Sequence, residues 1–338
     1  MTFEVLRKNF DAMFALFSDM LLHPLYPKEV FERRKSDTIE DWQRHEGRID
    51  EFGPAVSAIA FGPTHPLGLS SSRPEALRDI TVADVEDFKQ RFWHPDIAVL
   101  VFAGDITLDQ AVAAATKNLG EWSGTAEPRG KLPPPDPMKG RTFLLERKGV
   151  TQTSVVMILP GTAAESPGFP ALQLADNVLG NGFHARLYQA LRLNLGITYS
   201  VSSALPSFPG GGLWTANSPV QADKTREAMA AFQQVVREMA GEKPITQTEL
   251  DEAKQRMIGW WPDQFQSNGS IVSAIADGWV EDRSLTTLKT FPQRIAAVTL
   301  EQVNAAARKY ARPDKIVFLL VGDPEKIGPI GGMVALKP

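Results

Sequence analysis

The chain has 338 residues, of which 43% are apolar and 22% charged, as is usual for a globular protein of about two domains. Its formal net charge of −4 is unfavourable for a nucleic-acid partner, because phosphate neutralisation needs clustered Lys and Arg. There is no cysteine, which excludes disulfides, thiolate catalysis and cysteine zinc sites. No stretch of 18 apolar residues occurs, so we expect no membrane span.

The first part of the chain predicts helices followed by one strand. Apolar residues recur at helical spacing over residues 6–21. Thr81 stands at an N-cap position with Asp84 three residues later, which indicates a capping box, and Pro95 ends that helix. The apolar run 97–103 then predicts a buried strand.

A connector and a second set of elements follow. Residues 125–140 contain five prolines and no apolar periodicity, which predicts a stiff extended linker. Beyond it the sequence predicts a strand at 153–159, a helix at 169–179, a glycine-rich turn, a helix at 185–195 and a strand at 198–205. Met229 and Phe232 begin a further helical stripe.

Residues 80–105 and 298–323 align without a gap, which indicates an internal duplication. Thr299 and Gln302 repeat the capping box, Pro313 repeats the helix stop, and both copies end their apolar run in Gly-Asp. The sequence therefore predicts an α+β fold made of a duplicated unit, a mixed or antiparallel sheet with helices packed on it. The expected domains are a first unit at 1–124, truncated at its N-terminus, the linker at 125–140 and a complete second unit at 141–338. A complete first copy would need about 75–80 residues before Met1.

One ordered set of residues in the second copy resembles a known family. The set comprises Gly180-Asn181-Gly182, Ala185-Arg186-Leu187, Arg192, Leu195-Gly196 and Tyr199. Together with the duplication and the proline linker, it resembles the insulinase/pitrilysin-like zinc metallopeptidases, which include the mitochondrial processing peptidase. The resemblance covers essentially the whole chain and implies a processing-peptidase-like fold.

The resemblance also implies a mechanism and a set of site residues. In this family one domain carries H-x-x-E-H, which holds zinc and supplies the general base, and another contributes an Arg and a Tyr to the substrate backbone. Transferred to this chain, the pair is Arg192 and Tyr199, which would stabilise charge at the scissile carbonyl. The glycine turn adds Gly180, Gly182 and His184 as candidate substrate-binding residues. A solvated Arg, a half-buried Tyr and a structural His are the plainer alternatives.

The zinc half of this mechanism is missing from the sequence. No two of the five histidines are three or four residues apart, and H-x-x-E-H does not occur. In the family a Glu about nine residues after a Glu-Arg pair is the third ligand. The ninth residue after Glu32 is Asp41, which with Glu40 and Glu46 is typical of a solvated helix face. We therefore expect no metal site, no cofactor and no catalytic residue in this chain alone.

Three functions remain open at this point. The chain would be a non-catalytic, peptide-binding subunit that completes the chamber of a homologous zinc-bearing subunit, with the zinc in that partner. Alternatively it is the C-terminal portion of a complete zinc peptidase whose H-x-x-E-H lies upstream, or a structural core-type subunit. A first unit without its opening strands exposes a sheet edge, so we expect association with such a partner or with itself. We leave the compartment open and favour the periplasm over the cytoplasm.

Overall fold

The computed structural model describes residues 1–45, 48, 50–69, 74–128, 130–208, 210–280 and 284–336. The chain forms two compact units, each assembled from three segments. Unit 1 comprises Met1–Gln43, Ser71–Leu132 and Pro262–Leu285, and unit 2 comprises Arg44–Ser70, Pro133–Trp261 and Thr286–Pro338. The boundaries expected at 124/125 and 140/141 rest on the alignment of the two copies and stay a prediction.

The secondary structure is mostly helical. The helices are α1 (Phe10–Leu22), α2 (Lys28–His45), α3 (Gly53–Phe61), α4 (Pro74–Arg78), α5 (Val82–Phe92), α6 (Leu108–Leu119), α7 (Phe169–Gly180), α8 (Arg186–Tyr188), α9 (Thr225–Arg237), α10 (Gln247–Trp260), α11 (Asn268–Val280), α12 (Leu285–Lys289), α13 (Phe291–Ala297), α14 (Leu300–Tyr310) and α15 (Pro324–Ile327). The strands are β1 (Thr142–Glu146), β2 (Gln152–Pro160), β3 (Ser202–Ala204), β4 (Ser207–Phe208), β5 (Gly211–Gln221), β6 (Val317–Gly322) and β7 (Met333–Leu336). Most of the helices and strands expected from the sequence are thereby confirmed. The strand expected at 198–205 is shorter, because only Ser202–Ala204 pair with β5 as a strand and Thr198 meets it through an isolated bridge.

Unit 1 is built on helices whose starts are set by local hydrogen bonds. Helix α5 begins with the predicted capping box, in which the Asp84 amide donates to Thr81 Oγ1 and the Asp84 carboxylate accepts from the Thr81 amide. The core of unit 1 is small and aromatic: Phe14 is 1% exposed and contacts the rings of Phe10 and Phe102. This core places one face of α1 against the chain that follows α5.

The strand predicted at residues 97–103 is wrong. A short 3-10 turn covers Pro95–Ile97, residues 98–103 are extended but belong to no strand, and Val99 and Leu100 are 41% and 38% exposed. A strand exists only where a neighbour satisfies its amide and carbonyl groups, and every strand of the described residues lies in unit 2. The apolar run therefore has the composition of a strand without the partner that would make it one.

Unit 2 contains one mixed sheet in the order β3-β5-β2-β6-β1-β7, with β4 paired to β5. Strand β1 runs parallel to β6 and β7, whereas β2, β5 and β3 pair antiparallel. The predicted α+β class with a mixed sheet is confirmed. Along each strand successive side chains point to opposite faces, so the sheet residues divide between two faces.

Both faces of this sheet are covered. On one face Val155, Met157 and Leu159 pack with buried residues of α7, α9, α10 and α14. On the other face Val156 and Ile158 pack with buried residues of α3. Because β2 and β6 are buried on both faces, they appear in the sequence as continuous apolar runs. The end of α7 is buried in the larger helical layer, and the turn after it reaches solvent at Phe183 and His184.

Candidate functional site

The turn after α7 requires glycine at two positions. A Cβ at Gly180 would lie 2.6 Å from the Cβ of Ser203 on β3, so only glycine allows this approach. Gly182 has a φ of +102°, which L-residues with a side chain rarely adopt. The glycines that resemblance assigns to substrate binding thus also have a structural reason to be there, and the turn they form lies directly against the sheet.

His184 is held on the outer side of this turn by α10. Its Nδ1 lies 3.0 Å from Oε2 of Glu252, and its side chain is 70% exposed. Glu252 also lies 3.7 Å from Nη1 of Arg256, whose Nε donates to Oδ1 of Asn177 at 3.0 Å. The chain of contacts returns to α7, so His184 has a fixed neighbour on α10 and an imidazole open to solvent.

A second ion pair fastens the start of α8 to the same helix. Arg186 donates to both carboxylate oxygens of Glu249, at 2.7 and 2.8 Å. Burial opposes the ionisation of Glu249, but the hydrogen bonds from Arg186 and from the amide of Thr246 outweigh it and lower its pKa. Because the two guanidinium bonds are bidentate, they fix orientation as well as distance. The turn before α8 and helix α10 are therefore held together as one surface.

Arg192 and Tyr199 lie close together at the C-terminal end of the helix that begins with α8. Helix α8 continues as a π-helical segment, Gln189–Asn194, which carries Arg192. Its Nη1 donates to the carbonyl of Thr198 at 3.1 Å, and its Cζ lies 5.2 Å from the ring centroid of Tyr199. Tyr199 is 80% exposed, so the stacked pair is presented to solvent.

The backbone behind this pair is anchored to the sheet. Thr198 is 5% exposed and forms an isolated bridge with Val220, and its Oγ1 donates to the Pro219 carbonyl at 2.6 Å. Ser218 donates to the same Oγ1 at 2.9 Å. Since the carbonyl of Thr198 also accepts the hydrogen bond from Arg192, the guanidinium is oriented by a buried residue that is bridged to β5.

The predicted residues lie in two groups, at the two ends of the helix that begins with α8. Gly180, Gly182 and His184 share the turn before α8, and Arg192 pairs with Tyr199 after it. Gln189 links the two, because its amide donates to the carbonyl of Phe183 at 2.7 Å from the first residue of the π-helical segment. Sequence reasoning missed the partners Glu252 and Trp214, which are tens of residues away and have no local signal.

The family model described as "Peptidase M16 inactive domain" matches residues 79–257, which include the turn, the Arg–Tyr pair and α10. The chain belongs to the peptidase M16 inactive-domain family. This membership confirms the resemblance to the insulinase-like zinc metallopeptidases.

Curated relatives of this M16 chain carry two kinds of name. The uncharacterized zinc protease YmxG of Bacillus subtilis is 24% identical over 94% of this chain and 76% of its own length. An uncharacterized zinc protease of Mycobacterium leprae is 26% identical over 90% of this chain and 69% of its own. The non-peptidase homolog YmxG of Helicobacter pylori is 21% identical over 96% and 75%. Relatives with about the same sequence identity to this chain are thus named either as zinc proteases or as a non-peptidase homolog.

Solved structures share the M16 fold. An M16 inactive domain from Pseudomonas fluorescens matches with a TM-score of 0.79 and 23% identity, covering 98% of this chain and 77% of that one. Complex III2 from Candida albicans contains a chain that matches with a TM-score of 0.80 and 14% identity, covering 96% and 79%. At these identities the likeness shows the fold alone.

The zinc in the relatives' names does not fit the residues described here. Across residues 1–45, 48, 50–69, 74–128, 130–208, 210–280 and 284–336, no group of three His, Cys, Asp or Glu side chains could hold a metal ion. His184 meets one carboxylate, Asp176 accepts from Trp214, Asn181 and Ser203, and exposed Glu40 accepts from Ser36. Glu46 lies outside the described residues. In the same part of the chain no helix has the length and apolar character needed to cross a bilayer.

Proposed function

We propose that this M16 chain is a non-catalytic subunit that binds peptide and supplies Arg192 and Tyr199 to the active-site chamber of a zinc-bearing partner. The observation that carries the proposal is the stacked, exposed pair in which Arg192 is held by the carbonyl of Thr198, a buried residue bridged to β5. A free surface residue would not need such support. The glycine turn with His184 directly precedes the helix that carries Arg192, and it would contact the peptide beside the pair.

The chemistry of the pair suits a peptide backbone. A guanidinium has five N–H donors in a rigid fork, and the carbonyl of Thr198 takes one Nη1 bond from Arg192. The remaining donors and the Tyr199 hydroxyl can donate to a substrate carbonyl, where they would bind it and stabilise its developing negative charge. The exposed faces of Tyr199 and Phe183, 80% and 77% exposed, supply apolar contact area for substrate side chains.

The zinc would belong to a homologous partner subunit. The described residues offer no donor set for it, and the family description is that of an inactive domain. An H-x-x-E-H segment upstream of this chain is an alternative source. A structural core-type role is the third possibility, and the chain of Candida albicans complex III2 with the same fold motivates it. We favour peptide binding because the supported Arg–Tyr geometry is unnecessary in a purely structural subunit.

Peptide binding by the full chain tests the proposal. The probe is fluorescein-labelled oxidised insulin B chain, an unfolded peptide, followed by fluorescence anisotropy. Arg192→Ala should weaken binding by about tenfold or more, because hydrogen bonds to a charged group contribute about 1.5–3 kcal/mol. Tyr199→Phe should weaken it less. Arg308→Ala removes an exposed cation on α14 and serves as the matched control, with unchanged affinity.

Two results would overturn this proposal. One is an Arg192→Ala variant that binds the probe as tightly as the wild type. The other is cleavage of the probe by the purified chain with zinc alone, which would place the metal chemistry in this chain. With a zinc-bearing homologue added, we expect cleavage that depends on Arg192, and its independence of Arg192 would favour the structural role.

A further inference from the structure

Asp176 is a buried carboxylate directly beneath the glycine turn. It lies on α7, is 8% exposed, and its carboxylate faces two nitrogen donors and the hydroxyl of Ser203. Trp214 Nε1 on β5 donates to Oδ1 at 2.8 Å, and Asn181 Nδ2 in the turn donates to Oδ2 at 2.9 Å. One side chain thus joins the helix, the sheet and the turn that precedes α8.

The same network fixes the turn against β3. Asn181 Nδ2 lies 3.0 Å from Oγ of Ser203, which itself donates to the backbone carbonyl of Asp176 at 3.1 Å. Ser203 is also the residue that Gly180 touches. The position of residues 180–182 therefore depends on Asn181 holding its place, and Asn181 depends on the carboxylate below it.

The hydrogen-bonding roles of the nitrogen donors at Asp176 favour the ionised form of the carboxyl. Indole and amide nitrogens donate and cannot accept, so each needs an oxygen lone pair. Protonation removes the negative charge that strengthens these bonds and places a hydrogen on one of the two oxygens, so the bonds from Trp214 and Asn181 weaken. Burial raises the pKa of Asp176 to about 6, while the hydrogen bonds that it accepts oppose this shift.

We propose that Asp176 is a positioning residue, whose carboxylate holds residues 180–184 in the peptide-binding arrangement and whose protonation releases them. The inference rests on the proposed function, because it names what keeps that site in shape. Asp176 touches no substrate in this view and acts through Asn181. Peptide binding by this chain should then fail on mild acidification, below neutral pH.

Other titratable groups near this end of α7 must be separated from Asp176. From α10, Arg256 bonds the neighbouring Asn177, and Glu252 pairs with Arg256 and with His184. From β3 and β5 the groups that face Asp176 are Ser203 and Trp214, which do not titrate in this range. His184 is therefore the competing source of a pH effect, and its replacement is an essential control.

The experiment measures the affinity for the labelled insulin B chain between pH 5 and pH 7.5, with the full chain. In the wild type we expect affinity about tenfold lower at pH 5, because only about one carboxyl in ten is ionised one unit below a pKa of about 6. Asp176→Asn places an amide where the protonated acid would be. Its affinity should be low throughout and nearly independent of pH.

Three further variants make the result specific. Asn181→Ala removes the side chain through which Asp176 acts, so its affinity should be low and nearly independent of pH, as in Asp176→Asn. His184→Gln should retain the pH dependence, whatever its affinity. Asp223→Asn makes the same charge change at an exposed position of unit 2 and should behave as the wild type. A pH dependence that disappears in His184→Gln and persists in Asp176→Asn overturns the inference.

A second readout needs no peptide. Amide hydrogen exchange over residues 180–184, corrected for intrinsic rates, should rise in the wild type as the pH falls from 7 to 5 and stay constant in Asp176→Asn. If exchange responds in this way but the probe binds at no pH, the proposed function fails and the role of Asp176 in the turn stands. If the probe binds and exchange is indifferent to pH, Asp176 does not position the turn.

Discussion

Residues 99–104 in unit 1 and strand β6 in unit 2 are aligned segments of the two copies with different structures. In β6, Phe318 is 2% exposed and Leu319 fully buried, between β2 on one side and β1 on the other. The aligned residues are Leu100, which is 38% exposed, and Val101, which is half-buried, and neither belongs to a strand. The two segments share an apolar composition, a preceding capped helix and a closing Gly-Asp.

A similar helix contact forms in both copies, at positions two residues apart in the alignment, and shows where the difference arises. Phe102 packs edge-on against Phe14 of α1 at 5.6 Å, as Phe318 packs against Phe232 of α9 at 6.3 Å. The helix-facing contact therefore forms in both units. What unit 1 lacks, within the described residues, is the lateral hydrogen bonding and the cover on the opposite face. Strand formation thus requires neighbours, whereas packing on a helix requires only the apolar side chain.

Two leucine substitutions, one in each segment, give the largest expected contrast. Leu320→Ala removes a fully buried side chain from β6 and should lower the free energy of unfolding by about 3 kcal/mol, because it leaves a cavity in a packed core. Leu100→Ala, at a position 38% exposed, should cost less than about 1 kcal/mol. Urea unfolding of the full chain followed by circular dichroism measures both. Equal losses would show that residues 98–103 are buried after all.

The helix caps should give equal effects in the two copies. Thr81 Oγ1 accepts from the Asp84 amide at 3.3 Å, and Thr299 Oγ1 accepts from the Gln302 amide at 3.2 Å. Thr81→Ala and Thr299→Ala should each cost about 1 kcal/mol in the same urea assay, since a cap acts within one turn of helix. The Ser variants retain the hydroxyl and should be near wild type. A cap effect in only one copy would mean that tertiary context governs these helix starts as well.

The aspartates that close the two segments should differ in the pH dependence of stability. Asp323 accepts from the amides of Gly149 and Glu325, at 2.9 and 3.0 Å, and these bonds lower its pKa. Its ionised form therefore stabilises the fold above the ordinary Asp pKa, and that contribution is lost as the pH falls through the lowered value. Asp323→Asn should flatten the decline of stability in acid.

The matched control for this smaller effect is Asp105→Asn, because Asp105 is the exposed counterpart at the end of residues 99–104. We expect its pH profile to follow that of the wild type between pH 5 and pH 2 in thermal unfolding. If both variants flatten the profile equally, the amide contacts of Asp323 do not distinguish the two copies.

Many residues of the candidate site could be predicted from the sequence, whereas the residues that hold them in place could not. The seven-residue spacing of Arg192 and Tyr199 was visible, and the structure stacks the two side chains as that spacing allows. The partners that hold the turn were invisible, because Glu252 lies 68 residues from His184 and Trp214 lies 38 residues from Asp176. No periodicity links residues so far apart, so only a folded chain brings them together.

The sequence by itself determined the local features of this M16 chain. Capping boxes, helical stripes, the duplication and the apolar runs follow from interactions within one or two turns of chain, and these agree between the copies. Tertiary structure alone decided which apolar run became a strand, which carboxylate was buried, and that α3 covers the second face of the unit 2 sheet. The physical reason is that burial and strand pairing are properties of a neighbour, and a neighbour is not encoded in the segment that needs it.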